Sequence, residues 1–223
     1  MARSSRRAAG PTTAEGHDLP TAGAIIATVQ QLADQLRRAG GTVVWVTPRN
    51  APLSDARREF YGDEVAERYR RSGGGTAAAK LAANFAVDPI DAIVEKTTPS
   101  ALAHDDTALQ PLLRANRIET VIVVGVTADV CVESTVRDAA TRGYRTIVIG
   151  DAVAAGSDAV VNASLRTIYR SFGDVRSATE VLELVATDAA PAKRTRSSTK
   201  QPSTGRIWDW ADEILDRQEI PRR

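Results

Sequence analysis

The sequence predicts an α/β fold: a parallel sheet covered by helices on both faces. Three observations carry this. Short runs rich in Val and Ile alternate with stretches whose apolar residues recur every three or four positions. The short runs are continuously apolar, as strands buried on both faces are. Hydrophobic residues make up 43% of the chain but aromatics only 4%, so the core is aliphatic.

From Ala22 to Arg38 a stripe of Ile25, Val29, Leu32 and Leu36 predicts a helix, ended by Gly40-Gly41 as a left-handed cap. Thr42 to Val46 reads as a buried strand stopped by Pro48. Asp55 to Arg71 is a charged surface helix, and Ser72 to Gly75 a flexible break. That break is no phosphate loop, because no Gly-Lys-Ser/Thr follows at the required spacing.

Ile90 to Val94 is a short strand, followed by Glu95-Lys96 and a polar loop. Leu109 to Arg114 is a helix, Thr120 to Val124 a buried strand ended by Gly125, and Val130 to Arg142 a helix closed by Gly143. Thr146 to Ile149 is the next strand, with Asp151 just beyond. Asn162 to Phe172 is a helix, Val175 a short edge strand, and Ala178 to Val185 the last helix.

The ends differ from this body. The predicted organisation is a disordered extension over 1–20, the α/β domain over 21–187, a basic disordered linker over 188–206 and a short amphipathic helix over 207–223. That helix holds Trp208 and Trp210. The whole chain has a net charge of +1, but residues 189–206 carry five basic residues and no acid. The body is therefore mildly acidic, and no chain-wide basic footprint for nucleic acid exists. A single cysteine excludes an internal disulfide framework and a cysteine-rich zinc site. No apolar run approaches the ~20 residues of a membrane-spanning helix, and a cytoplasmic location is expected.

In open parallel sheets, ligands bind beyond the carboxyl ends of the strands. That rule points to Lys96, the Gly125–Cys131 turn and Asp151. Cys131 stands where a strand gives way to a helix. A helix N-terminus presents unpaired N–H groups and a partial positive charge, which favour a thiolate and can hold an oxyanion. A buried, inert cysteine is the alternative at this stage. Asp129 reads as a helix cap and Asp151 as a structural residue after its strand.

The stretch Gly125-Val-Thr-Ala-Asp-Val-Cys131-Val-Glu-Ser-Thr135-Val-Arg-Asp-Ala139 resembles the nucleophile segment of the isochorismatase-like cysteine hydrolases. Glu95-Lys96-Thr-Thr-Pro-Ser100-Ala101-Leu102 is similar to their lysine element. Gly143-Tyr144-Arg145, Asp151-Ala152 and Phe172-Gly173-Asp174-Val175 also fit. The resemblance runs from about Leu19 to Val185.

It implies an α/β/α sandwich around a six-stranded parallel sheet. It also implies Cys131 as nucleophile and Lys96 as support for the thiolate and the developing charge. A cis peptide is implied at Val126–Thr127, with the Thr127 and Cys131 amides as oxyanion hole. The implied substrate is a small amide or ureido compound, cleaved through an acyl-enzyme. A homo-oligomer without cofactor is expected. Members of the nicotinamidase branch bind a metal through Asp and paired His. His17 and His104 do not form such a pair, so no metal site is expected. Ala128 stands where the family usually has Thr.

One departure is large. The family opens with an apolar strand ending in Asp-x-Gln, and its aspartate is the acid/base group. Residues 1–20 contain no such strand, and Glu15 and Asp18 match neither spacing nor context. The first strand and its aspartate are therefore expected to be missing here. Two accounts follow: a cysteine hydrolase whose true start lies upstream, or a catalytically impaired member retained for binding or regulation. A nucleotide-binding domain is disfavoured because no Gly-x-Gly-x-x-Gly follows a strand.

Overall fold

The computed structural model describes residues 22–49, 53–71, 81, 84–103 and 108–188. The expectations for residues 1–20, for 189–223, for Ser72 to Gly75 and for His17 and His104 lie outside the described residues.

A 3-10 turn, Ala22–Ile25, leads into α1, Ile26–Arg38. It is followed by β1, Val44–Pro48, α2, Asp55–Tyr61, and α3, Asp63–Arg71. Then come β2, Ala92–Lys96, α4, Leu109–Ala115, and β3, Thr120–Val126. A π-helical turn, Ala128–Val132, opens into α5, Glu133–Thr141. The chain continues through β4, Arg145–Ala154, α6, Asp158–Ser171, β5, Asp174–Arg176, and α7, Ala178–Asp188.

All strand pairs are parallel. Among the described residues the strands form two sheets, β1-β2 and β3-β4-β5, rather than one sheet of six. Helices cover both faces. On one face α1 and α7 bury Val29, Leu32, Ala33 and Val181 against Trp45, Ile149, Ala152 and Ala154. On the other, Val132, Val136 and Ile168 pack on Val148 and Val153, while Leu109, Leu113 and Ala139 pack with Val94 and Leu102. The core is aliphatic apart from Trp45, as the composition predicts.

Several boundaries differ from the sequence reading. Pro48 is the last residue of β1 rather than a stop beyond it. The charged segment 55–71 is two helices, because Gly62 adopts φ +79° between them. β4 runs on to Ala154, so Asp151 lies within the strand.

Buried polar links fix the frame. Asp91, whose side chain is 1% exposed, accepts hydrogen bonds from Arg37 Nε (2.7 Å) and Nη2 (2.6 Å) and from Trp45 Nε1 (2.7 Å). This ties α1 to β1 and to the turn entering β2. Burial pushes the Asp91 carboxyl up. The hydrogen bonds from Arg37, Trp45 and the Asp88 amide outweigh it, and the group is held below its ordinary range.

Gly173 is required by close approach. A Cβ there would lie 2.5 Å from the Thr146 carbonyl oxygen and closer still to its hydroxyl.

Candidate active site

Lys96 ends β2 and is 6% exposed. Its ammonium donates to the Pro99 carbonyl, the only hydrogen-bond partner it has among the described residues. The loop carrying Pro99 is held by Thr98 Oγ1, which donates to the Ser100 carbonyl (2.8 Å), and by Ser100 Oγ, which accepts from the Leu102 amide (3.0 Å). Ala101 and Leu102 are buried beneath it.

β3 delivers the second element. Its register against β4 shifts between Val123 and Gly125, where Gly125 adopts φ +110°. The Val126–Thr127 peptide bond is cis. Thr127 then occupies the position before the π-helical turn, with extended backbone. Its carbonyl accepts from the amides of Val132 (3.0 Å) and Val130 (3.3 Å). Cys131 sits fourth in the turn and is half-buried, with its thiol free of any disulfide. Short π-helical turns are frequent at functional sites, since the extra residue re-aims the side chains it carries.

The expected cap role of Asp129 is not seen. The capping position is Thr127, no side chain caps the turn, and Asp129 is an exposed residue inside it. The π-helical turn starts at Ala128, which puts its capping position two residues before Asp129. Asp151 has a structural part: its Oδ1 accepts from the Ala178 amide (2.8 Å) at the start of α7.

Three polar residues hold this arrangement, and the sequence reading assigned none of them a role. Thr135 Oγ1 accepts from the Ala101 amide (3.1 Å) and donates to the Cys131 carbonyl (2.7 Å). It therefore joins the lysine loop to the cysteine turn, and shows that the carboxyl ends of β2 and β3 lie on the same edge. Ser164 is 3% exposed. Its hydroxyl lies 2.9 Å from the Ala128 carbonyl and 2.7 Å from Glu133 Oε2, and its one hydrogen serves either acceptor. Glu133 Oε1 in turn accepts from Arg137 (2.6 Å), whose guanidinium lies over the Phe172 ring at 4.3 Å. The available signal was the spacing of Glu133 and Thr135 after the cysteine. Ser164, from a distant helix, had none.

A hollow lined by Gln110, Arg114, Ile118, Tyr144 and Arg145 lies at the amino ends of β3 and β4, away from Cys131. Among the described residues, no helix is long and apolar enough to cross a membrane.

An α/β fold with parallel strands covered by helices on both faces is the fold of the isochorismatase-like hydrolases. The chain belongs to the isochorismatase family, whose isochorismatase-domain model matches residues 12–180.

The chain is 38% identical to N-carbamoylsarcosine amidase of an Arthrobacter species over 101 residues, which cover 45% of this chain and 37% of that protein. It is 29% identical to the ureidoacrylate amidohydrolase RutB of Methylorubrum extorquens over 189 residues, covering 78% of this chain and 75% of the relative. The crystal structure of a cysteine hydrolase from Pseudomonas syringae pv. phaseolicola superposes with a TM-score of 0.64 at 26% identity. That match covers 76% of this chain and 84% of the other.

Proposed function

We infer that this protein hydrolyses the C–N bond of a small amide or ureido compound through a covalent acyl-enzyme at Cys131. The observation that carries the reading is the Thr135 link, which holds the half-buried cysteine turn beside the loop of the buried Lys96. The relatives' names, an N-carbamoyl amidase and a ureido amidohydrolase, support the substrate class.

In this mechanism the Cys131 thiolate attacks the substrate carbonyl carbon. The backbone amides of Thr127 and Cys131 receive the oxyanion, and the Lys96 ammonium stabilises the thiolate and the developing negative charge. The C–N bond then breaks and the amine departs with a proton. Water hydrolyses the thioester and frees the thiol. Substrate enters at the strand carboxyl ends, where open parallel sheets place their ligands.

The test is an ammonia-release screen of small amides and ureido acids, run on the wild type and on Cys131→Ala. The expected result is turnover by the wild type and none by the variant. Turnover retained by Cys131→Ala refutes the assignment. A second reading, a binding protein without turnover, is favoured by one observation: among the described residues no carboxylate is hydrogen-bonded to Lys96. Ligand binding with no ammonia release from any substrate would select it.

A further inference from the structure

The amino-end edge of the strands carries a hollow of about 530 Å³, within the ~300–1,000 Å³ range of small-ligand sites. β3 has seven residues, so this edge lies about 20 Å from the cysteine turn. The hollow is therefore no part of the proposed catalytic centre. Its charged lining is Arg114, Arg142, Arg145 and Glu119, so three guanidiniums face one carboxylate.

Two of those guanidiniums are held in place. Arg114 stands in the last turn of α4. With the Gln110 amide turned so that its oxygen meets the guanidinium, that oxygen accepts from Arg114 Nε (3.0 Å) and Nη2 (3.2 Å). Gln110 is 5% exposed, so packing fixes this anchor. Arg145 opens β4. Its Nε donates to Thr120 Oγ1 (2.9 Å) and its Nη2 to Glu119 Oε2 (3.0 Å). In both forks the Nε and Nη2 groups are engaged. The Nη1 group of each has no hydrogen-bond partner among the described residues.

The ordinary task of an arginine at a helix end is to donate to the last carbonyls. Backbone amides already do this here. The Leu113 and Arg114 carbonyls accept from Ile118 and Arg117, and those of Ala139 and Ala140 from Tyr144 and Gly143. Arg114 is thus not consumed by its own helix. Beside the forks, Ile118 and Tyr144 pack against Leu109 and Leu113 and form an apolar wall.

We propose that this hollow is a second ligand site, for a small organic dianion with two carboxylates. Each pinned fork meets one carboxylate through its Nη1 side, and Arg142 adds positive charge. The carbon chain between the carboxylates lies on Ile118 and Tyr144. A planar guanidinium matches a planar carboxylate, and a fork already held by side chains loses little freedom on binding. The size of the hollow and its apolar wall favour a carbon chain between two acidic groups over an inorganic ion.

The experiment titrates succinate, glutarate and adipate separately into the full chain at constant ionic strength. NMR follows the amides of Glu119, Gly143, Tyr144 and Arg145. With at least one of the three diacids these shifts are expected to saturate by about 10 mM. Arg114→Gln and Arg145→Gln are each expected to weaken that binding at least about tenfold, since each removes a charge-assisted pair. Both side chains are exposed, so the variants keep the fold. Arg166→Gln, an exposed position on α6, removes the same charge elsewhere and leaves the affinity unchanged.

No saturable shift by about 50 mM overturns the proposal. So do shifts confined to Thr127–Cys131, or wild-type affinity in Arg114→Gln and Arg145→Gln. Acetate binding as tightly as the best diacid overturns the requirement for two carboxylates. Tighter binding of inorganic phosphate overturns the diacid in favour of a plain oxyanion. No arm of this test depends on turnover.

Discussion

Thr135→Val is the sharpest test of how the site is held. Valine keeps the shape of threonine and removes the hydroxyl. The Ala101 amide, in a residue 2% exposed, then loses its acceptor, and the Cys131 carbonyl loses a donor 2.7 Å away. A buried N–H left unpaired costs about 1–3 kcal/mol. The Cys131 carbonyl remains in the helical turn, so its loss adds little. For a domain of this size each kcal/mol lowers Tm by roughly 2–4 °C, so a fall of about 2–12 °C is expected by calorimetry.

Turnover measures a second effect. A displacement near 1 Å between reacting groups can cost about 10²-fold in rate. Once the link is gone, apolar packing such as that of Ala101 and Leu102 with Ala139 is what still holds the Lys96 loop to the Cys131 turn, and it tolerates sliding. Ammonia release on any substrate found by screening is therefore expected to fall at least about tenfold in kcat, with a smaller change in KM. Thr135→Ser keeps the hydroxyl and recovers most of both. Wild-type Tm and turnover in Thr135→Val, or equal losses in Thr135→Ser, would refute the reasoning.

Three other outcomes are expected. Asp91 is held below its ordinary carboxylate range, so its contribution is present above the unfolded value of ~3.9 and disappears as pH falls through the lower folded value. Urea midpoints measured from pH 6 to pH 2 should fall more steeply for the wild type than for Asp91→Asn, which starts less stable; parallel curves would contradict this. Gly173→Ala drives a Cβ against the Thr146 backbone and is expected to cost more than ~2 kcal/mol in chemical denaturation, while a neutral result would mean that β4 and the Gly173 turn move apart freely. Arg117 holds φ +52° after α4, where its amide and that of Ile118 close the helix on Arg114 and Leu113. Arg117→Gly should stabilise by about 0.5–1 kcal/mol, and a lowered Tm would count against left-handed strain there.

The sequence showed the architecture because buried parallel strands and amphipathic helices differ in period. β3, α1 and α7 could be found from Val and Ile runs or from the stripe of Val29 and Leu32 alone. Cys131 and Lys96 were visible because the carboxyl ends of strands are predictable once the strands are. The linking residues were not. Ser164 comes from α6 and reaches the Ala128 carbonyl across 36 positions, a contact set by packing rather than local pattern. The π-helical turn was also hidden, since its residues Ala128–Val132 suit an α-helix equally well. The assignment of Asp129 as a cap failed for that reason.

The two halves of the sheet divide the chemistry between them. Lys96 is placed by β2 and the loop packed over Leu102, and Cys131 by β3, α5 and α6 through Ser164 and Glu133. Each group is thus rigid within its own half. Their mutual position depends on what spans the division: the shared apolar clusters and the Thr135–Ala101 hydrogen bond. Apolar contacts are non-directional and tolerate sliding, whereas a hydrogen bond weakens steeply with angle. Thr135 therefore sets the distance between thiol and amine more tightly than the larger apolar surface does.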